Sequence, residues 1–186
     1  MQIDLNTIMS NNQNIVEIYE NYGDTPPHPE SYYQEEDNEY IHISNQSPPS
    51  ERDENIRMAR FLTEKTKENI YILPLIQPTQ KNAENLRKEY FPDGVKINKN
   101  PDYYFKGRFV DGKSMMDVKE SDIKTIKRKI QNRLSEAFRQ ADDAFLEIPA
   151  FISINLLEDA VKGRLNSSCH KHLVYIKLGE TFLIFP

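Results

Sequence analysis

"NPDYYFKGRFVDGK", residues 100–113, places two aspartates and a lysine around a Lys106-Gly107 pair. Glycine accepts the positive φ that a two-residue hairpin turn requires, so Lys106-Gly107 predicts a tight turn between two short strands. With that turn, Phe105 stands opposite Arg108, Tyr104 opposite Phe109, Tyr103 opposite Val110, and Asp102 opposite Asp111. Side chains alternate along a strand. Asp102, Asp111 and Lys113 therefore share one face, and Tyr103, Phe105 and Val110 take the other.

Carboxylates facing each other across a strand pair, with Cβ atoms about 5 Å apart, repel unless positive charge sits between them. A divalent cation answers that need, and hard aspartate oxygens suit Mg²⁺ or Mn²⁺ better than zinc. Such an ion binds a phosphate oxygen and acidifies a water, while Lys113 orients that water or steadies charge growing at phosphorus. The residues thus point to metal-dependent phosphodiester hydrolysis. The same spacing also fits a surface hairpin whose Asp102 and Lys113 make ordinary ion pairs.

Working outward, "SERDENIRMARFLTEKT" (50–66) offers Ser50 as a cap and Ile56, Ala59 and Leu62 on one face, which predicts an amphipathic helix. "NIYILPLI" (69–76) reads as a buried strand ending near Pro74, and residues 82–90 as one helical turn within a loop. After the hairpin, Ile123, Ile126, Ile130 and Leu134 recur at helical steps behind Ser121 or Asp122 as cap, predicting a helix over 121–140. "DAFLEI" (143–148) predicts a strand, 152–165 a helix or mixed segment, and "KHLVYIKLGETFLIF" (171–185) a hairpin turning at Leu178-Gly179. The fold class expected is α/β, a sheet of mixed strand direction flanked by helices.

The chain has 186 residues, 38% hydrophobic and 28% charged, with no apolar run long enough to span a bilayer. Its single cysteine, Cys169, excludes an internal disulfide. Charge is divided unevenly. Residues 1–50 hold nine acidic and no basic residues; the other 136 hold 20 acidic and 24 basic, so −9 and +4 make up the net −5. The expected organisation is an acidic, Pro/Ser-rich, partly disordered arm (1–50) and a folded domain (51–186). Within the arm, "EYIHIS" (39–44) alternates like a strand and "NIVEIY" (14–19) reads as a short helix or strand. An acidic arm can also fold over a basic body and mimic nucleic acid. The first 20 residues lack an export signal, so the protein is expected in the cytoplasm, or delivered into a target cell by other machinery.

Pro101-Asp102, then eight residues, then Asp111-Gly112-Lys113 resembles the PD-(D/E)xK nuclease signature. Together with Glu54 in "ENIRMARFL", the strand "YILP" and the helix ending "RQADDAFLEI", residues 51–150 are similar to the C-terminal nuclease domains of CdiA-type contact-dependent inhibition toxins, many of them bacterial tRNA-cleaving enzymes. The resemblance implies a restriction-endonuclease-like fold and catalytic roles for Asp102, Asp111, Lys113, Glu54 and Gln140. Asp102, Asp111 and Glu54 would be the metal ligands, Mg²⁺ or Mn²⁺ the cofactor, and a cognate immunity protein an additional partner. It favours RNA over DNA as substrate. Gly112 stands where such strands usually carry an apolar residue.

Further candidates need placing. Asp117 and Lys119 repeat the acid-x-lysine spacing, and Pro92-Asp93-Gly94 reads as a turn. Lys106, Lys124, Lys127, Arg128 and Arg139, with Lys129 and Arg133 on the same helix, are candidate phosphate contacts, or a solvated basic face. Tyr103, Tyr104, Tyr90 and Phe91 are candidate base-stacking groups, or core. Cys169 and His170, adjacent in sequence, are poorly placed to act together as nucleophile and base; His172 lies nearby. The rival functional class is a catalytically inactive, nuclease-like module that binds nucleic acid or protein.

Overall fold

In the computed structural model, which describes residues 23–91, 99–119, 122–168 and 172–186, strand order follows the sequence. The strands are β1 (Tyr32–Glu35), β2 (Asn38–Ser44), β3 (Ile70–Ile72), β4 (Tyr103–Phe105), β5 (Arg108–Ser114), β6 (Asp143–Ile148), β7 (Val174–Leu178) and β8 (Thr181–Phe185). Four helices lie between them among the described residues: α1 (Pro49–Thr66), α2 (Ala83–Tyr90), α3 (Ile123–Ala137) and α4 (Ile154–Leu165). The pairs β2/β3, β5/β6 and β6/β7 are parallel and the rest antiparallel. Each parallel step carries its crossover helix, α1, α3 and α4 in turn, as parallel neighbours require. The mixed α/β class expected from the sequence is therefore present.

Alternation divides the core by face. On one face α1 lays Met58, Ala59, Phe61 and Leu62 over Ile70, Ile72, Tyr103, Phe105, Val110 and Phe145. On the other, α3 and α4 cover Ala144, Leu146, Ile148, Val174 and Ile176, while Tyr90 and Phe91 cover Tyr71, Tyr104 and Phe109. Helix α3 forms where its period predicts: Ile126, Ile130, Leu134 and Ala137 are buried, and the Asp122 carboxylate accepts from Thr125 N at 2.9 Å. Ser153 caps α4 by accepting from Leu156 N.

Several expectations are corrected. Residues 32–44 form β1 and β2 within the same sheet, so no boundary at residue 50 separates them from the body; Glu35 and Asp37 flank Arg60 of α1. "EYIHIS" is a strand as its alternation predicts. Residues 14–19 and Pro92-Asp93-Gly94 lie outside the described residues. Helix α1 starts at Pro49 with Pro48 as N-cap, which leaves Ser50 inside the helix and not its cap. The strand expected over 69–76 stops at Ile72: Leu73 N still donates to Asp102 O at 2.9 Å in the β3/β4 register, but Pro74 has no N–H to carry the ladder further. No helix among the described residues is long and apolar enough to cross a membrane.

A buried ion pair ties β5 to β6. Arg108 reaches Asp143 through Nε at 2.6 Å and Nη2 at 2.7 Å, and Asp143 also accepts from Leu173 N at 2.8 Å. The Asp143 side chain is 0% exposed and that of Arg108 10%. Replacing the arginine strands a buried carboxylate. Arg108→Leu is expected to cost about 3–5 kcal/mol, read as a lower urea midpoint; the double variant Arg108→Leu/Asp143→Leu should recover most of that loss.

Candidate active site

Lys106 (φ 51°) and Gly107 (φ 75°) both adopt the left-handed conformation, forming the predicted turn. β4 and β5 then pair as Phe105 with Arg108, Tyr104 with Phe109, and Tyr103 with Val110. Continued one step, that register sets Asp102 against Asp111. β4 begins only at Tyr103, whereas β5 runs on to Ser114, so past this level β5 loses its β4 neighbour. Both faces of the sheet open into one cavity of about 440 Å³ at the gap. Asp102, Asp111, Gly112, Lys113 and Ser114 form its floor; Glu54, Asn55 and Met58 of α1 close one wall, and Arg133 and Gln140 the other.

Asp102 is held from several directions. Its carboxylate accepts from Gly112 N at 2.7 Å and its carbonyl from Leu73 N. Asn100, two residues earlier, accepts through Oδ1 from Ile76 N at 3.1 Å and from Arg87 Nη1 at 3.4 Å, and its own N–H donates to Gln140 Oε1 at 3.3 Å. Gln140 thereby positions the segment that carries Asp102. Gly112 sits in a tight place: a Cβ there would lie 3.0 Å from Tyr103 Cε2 and 3.3 Å from Met58 Cε, so those side chains would have to shift by a few tenths of an ångström. Tyr103 and Met58 thus supply the apolar bulk that the strand itself lacks at this point.

Asp111 is 2% exposed and pairs with the Lys113 ammonium, which also donates to Gly112 O at 3.0 Å. The ammonium meets Asp111 at its buried Oδ2. Burial pushes the Asp111 carboxyl up to about 8; the Asp102 charge pushes the same way, and Lys113 pulls against both. Two neighbouring carboxylates, one of them buried, are a donor set that fits a hard divalent cation. Glu54 lines the cavity, but among the described residues no three His, Cys, Asp or Glu side chains converge into a metal-holding cluster.

On the α1 face, one strand over, Glu147 has the opposite electrostatics. Burial alone would raise it, yet hydrogen bonds from Arg57, Lys177 (2.9 Å) and Ser114 (2.9 Å) outweigh that and hold it at about 2. Ser114 thus links the cavity floor to a fixed ionic cluster.

The remaining candidates separate by position. Lys106 sits at the turn, the far end of the hairpin, paired with Glu68 at 3.2 Å. Lys127 is bound to Asp159 of α4 at 2.6 Å; Lys124, Arg128 and Arg139 are exposed, and none of these lines the cavity. Tyr103, Tyr104, Tyr90 and Phe91 are core, at most 5% exposed, and offer no stacking surface. Asp117 lies in the turn after β5 and, like Lys119, stands off the cavity. Cys169 and His170 are outside the described residues; the His172 ring stacks on Phe138 at 3.9 Å. Asn55 and Asn100 are cavity residues that spacing did not single out, and Arg133, named among the basic residues of the helix, lines the cavity as well. Gln140 lies past the end of α3, in the turn over 138–140, and not on the helix expected over 121–140.

No protein-family model, curated protein or solved structure matches the chain.

Because a raised carboxyl pKa makes ionisation oppose folding, the cost of Asp111 is absent below about pH 4 and grows as pH rises toward 8. Asp111→Asn is expected to be more stable than wild type at pH 7 in chelator, by on the order of 2 kcal/mol, with the gap closing near pH 4. Denaturant titrations at both pH values measure it.

Proposed function

We propose that the protein is a metal-dependent nuclease of PD-(D/E)xK type with a restriction-endonuclease-like fold, cleaving phosphodiester bonds in RNA in preference to DNA. The observation that carries the reading is Asp102 and Asp111 brought together with Lys113 on the floor of one cavity, by a register that the sequence itself encodes. The two aspartates would hold Mg²⁺ or Mn²⁺ through carboxylate oxygens, with Glu54 reaching in from α1 through the gap. A bound divalent ion would neutralise phosphate charge and acidify a water. Lys113 stabilises charge developing on the phosphate oxygens or orients the attacking water. Gln140 keeps Asp102 in place through Asn100, and the exposed bases Lys124 and Arg128 of α3, with Arg139 in the turn after it, attract the polyanion from outside the cavity. By resemblance the protein is toxin-like, acts in the cytoplasm of a cell into which it is delivered, and has a cognate inhibitor protein.

A second reading draws on one observation. Lys113 is already engaged by Asp111 and by Gly112 O, and the three carboxylates do not cluster, an arrangement that also suits a nuclease-like module that binds without cutting.

One assay separates the two. Purified protein is incubated with a tRNA pool and with DNA, in Mg²⁺ or in chelator, beside Asp111→Ala and Lys113→Ala. The enzyme reading expects Mg²⁺-dependent cuts, reduced about 10²–10³-fold in either variant; binding without cleavage by wild type in Mg²⁺ selects the second reading.

A further inference from the structure

We propose that Arg133 is the second phosphate anchor of the cavity, gripping the phosphate next to the one at Asp102, Asp111 and Lys113, and that the strand it takes is unpaired. The inference rests on the nuclease reading and names the substrate class for that site.

Apart from Lys113, Arg133 is the only cation lining the cavity among the described residues. It projects from α3 on the wall across from α1. Its ion pair is with Glu136, 3.1 Å away and one turn further along the same helix, with side chains 38% and 39% exposed. An exposed pair of this kind holds weakly, and it uses one arm of a guanidinium that offers five donors. The fork is therefore free to engage a phosphate in the bidentate geometry that suits it.

The neighbours of Arg133 have the same bias. Asn100 Oδ1 is taken by Ile76 N and Arg87, and Gln140 Oε1 by Asn100 N. Backbone donors fix the orientation of both amides, so each NH₂ group remains a donor without a protein partner among the described residues. The carboxylates Glu54, Asp102 and Asp111 line the α1 wall and the floor with Lys113, whereas the α3 side presents the Arg133 guanidinium and the Asn100 and Gln140 amide donors, and the complement of that side is a ligand rich in acceptors. Phosphate oxygens satisfy the guanidinium, and the carbonyl and ring-nitrogen edge of an unpaired base satisfies the amides. The volume of about 440 Å³ falls in the range that holds one small ligand unit. Asp111, at 2% exposure, lies at the floor, so a scissile phosphate has to descend into the cavity. Duplex phosphates face outward and could make that approach, but in a duplex the Watson–Crick edge of the base is taken by the complementary strand and cannot meet the Asn100 and Gln140 amides.

The test measures binding in chelator, where cleavage is off, by fluorescence anisotropy of a short labelled RNA, single-stranded and annealed to its complement, across a KCl series. Wild type is compared with Arg133→Ala, Arg133→Lys and, as a charge control remote from the cavity, Lys162→Ala. Removing one contacted phosphate should weaken single-strand binding about tenfold and flatten the log–log salt slope by ~0.7. Arg133→Lys should keep the slope and lose affinity, since it retains the charge without the fork. Duplex should bind more weakly and be insensitive to Arg133. In Mg²⁺, Arg133→Ala should raise KM with little change in kcat. Equal affinity and slope for wild type and Arg133→Ala, an equal loss in Lys162→Ala, or duplex binding as tight as single strand overturns the inference. Absence of Mg²⁺-dependent cleavage by wild type sinks the nuclease reading separately, because the chelator measurements do not depend on it.

Discussion

Two consecutive residues with positive φ, Lys106 and Gly107, fix everything at the centre of this molecule. A one-residue slip in the hairpin would send Asp111 and Lys113 to the α1 face and leave Asp102 facing Val110 or Gly112. The turn forbids the slip, and in doing so it forces two carboxylates into opposition, an arrangement that no stability argument favours. Local geometry that opposes stability and persists is characteristic of working sites, where surrounding structure over-determines the arrangement. Here the surroundings are specific: Leu73, Gly112, Asn100 and Gln140 each supply a bond that holds the Asp102 segment in place.

The contrast between Asp111 and Glu147 shows how far environment decides the chemistry of a carboxyl. Both side chains are 3% exposed, and they lie on adjacent strands. Glu147 has Arg57, Lys177 and Ser114 around it and is a permanently charged strut. Asp111 has one cation and a like-charged neighbour, and burial pushes its carboxyl up to about 8. The first group belongs to the architecture.

Much of this was legible from the residues. The period of Ile126, Ile130 and Leu134 defined α3, the Lys106-Gly107 turn defined the β4/β5 register, and the order of elements after residue 51 was readable from alternation and helical spacing, though α2 is a full helix where a single turn was expected. What escaped did so for physical reasons. β1 is an edge strand built from Tyr32-Tyr33-Gln34-Glu35, with little buried surface, so its composition resembles the acidic arm more than a strand. Lys106 is close to Asp102 in sequence but at the opposite end of the hairpin, because a strand carries residues apart at about 3.3 Å each. The basic residues of α3 looked equivalent in a string of letters; only the sheet, by taking the face of Ile126 and Ile130, turns Arg133 toward the cavity and Lys124 and Arg128 away.

Strand neighbours that are also sequence neighbours bear on how the molecule comes into being. No strand has to be inserted between two already paired, and no pairing waits for a distant part of the chain. Such a topology lowers the mean separation of contacting residues, which speeds folding. Assembly can proceed from one edge, each new strand docking on the last as it emerges from a ribosome or from a pore that passes the chain unfolded.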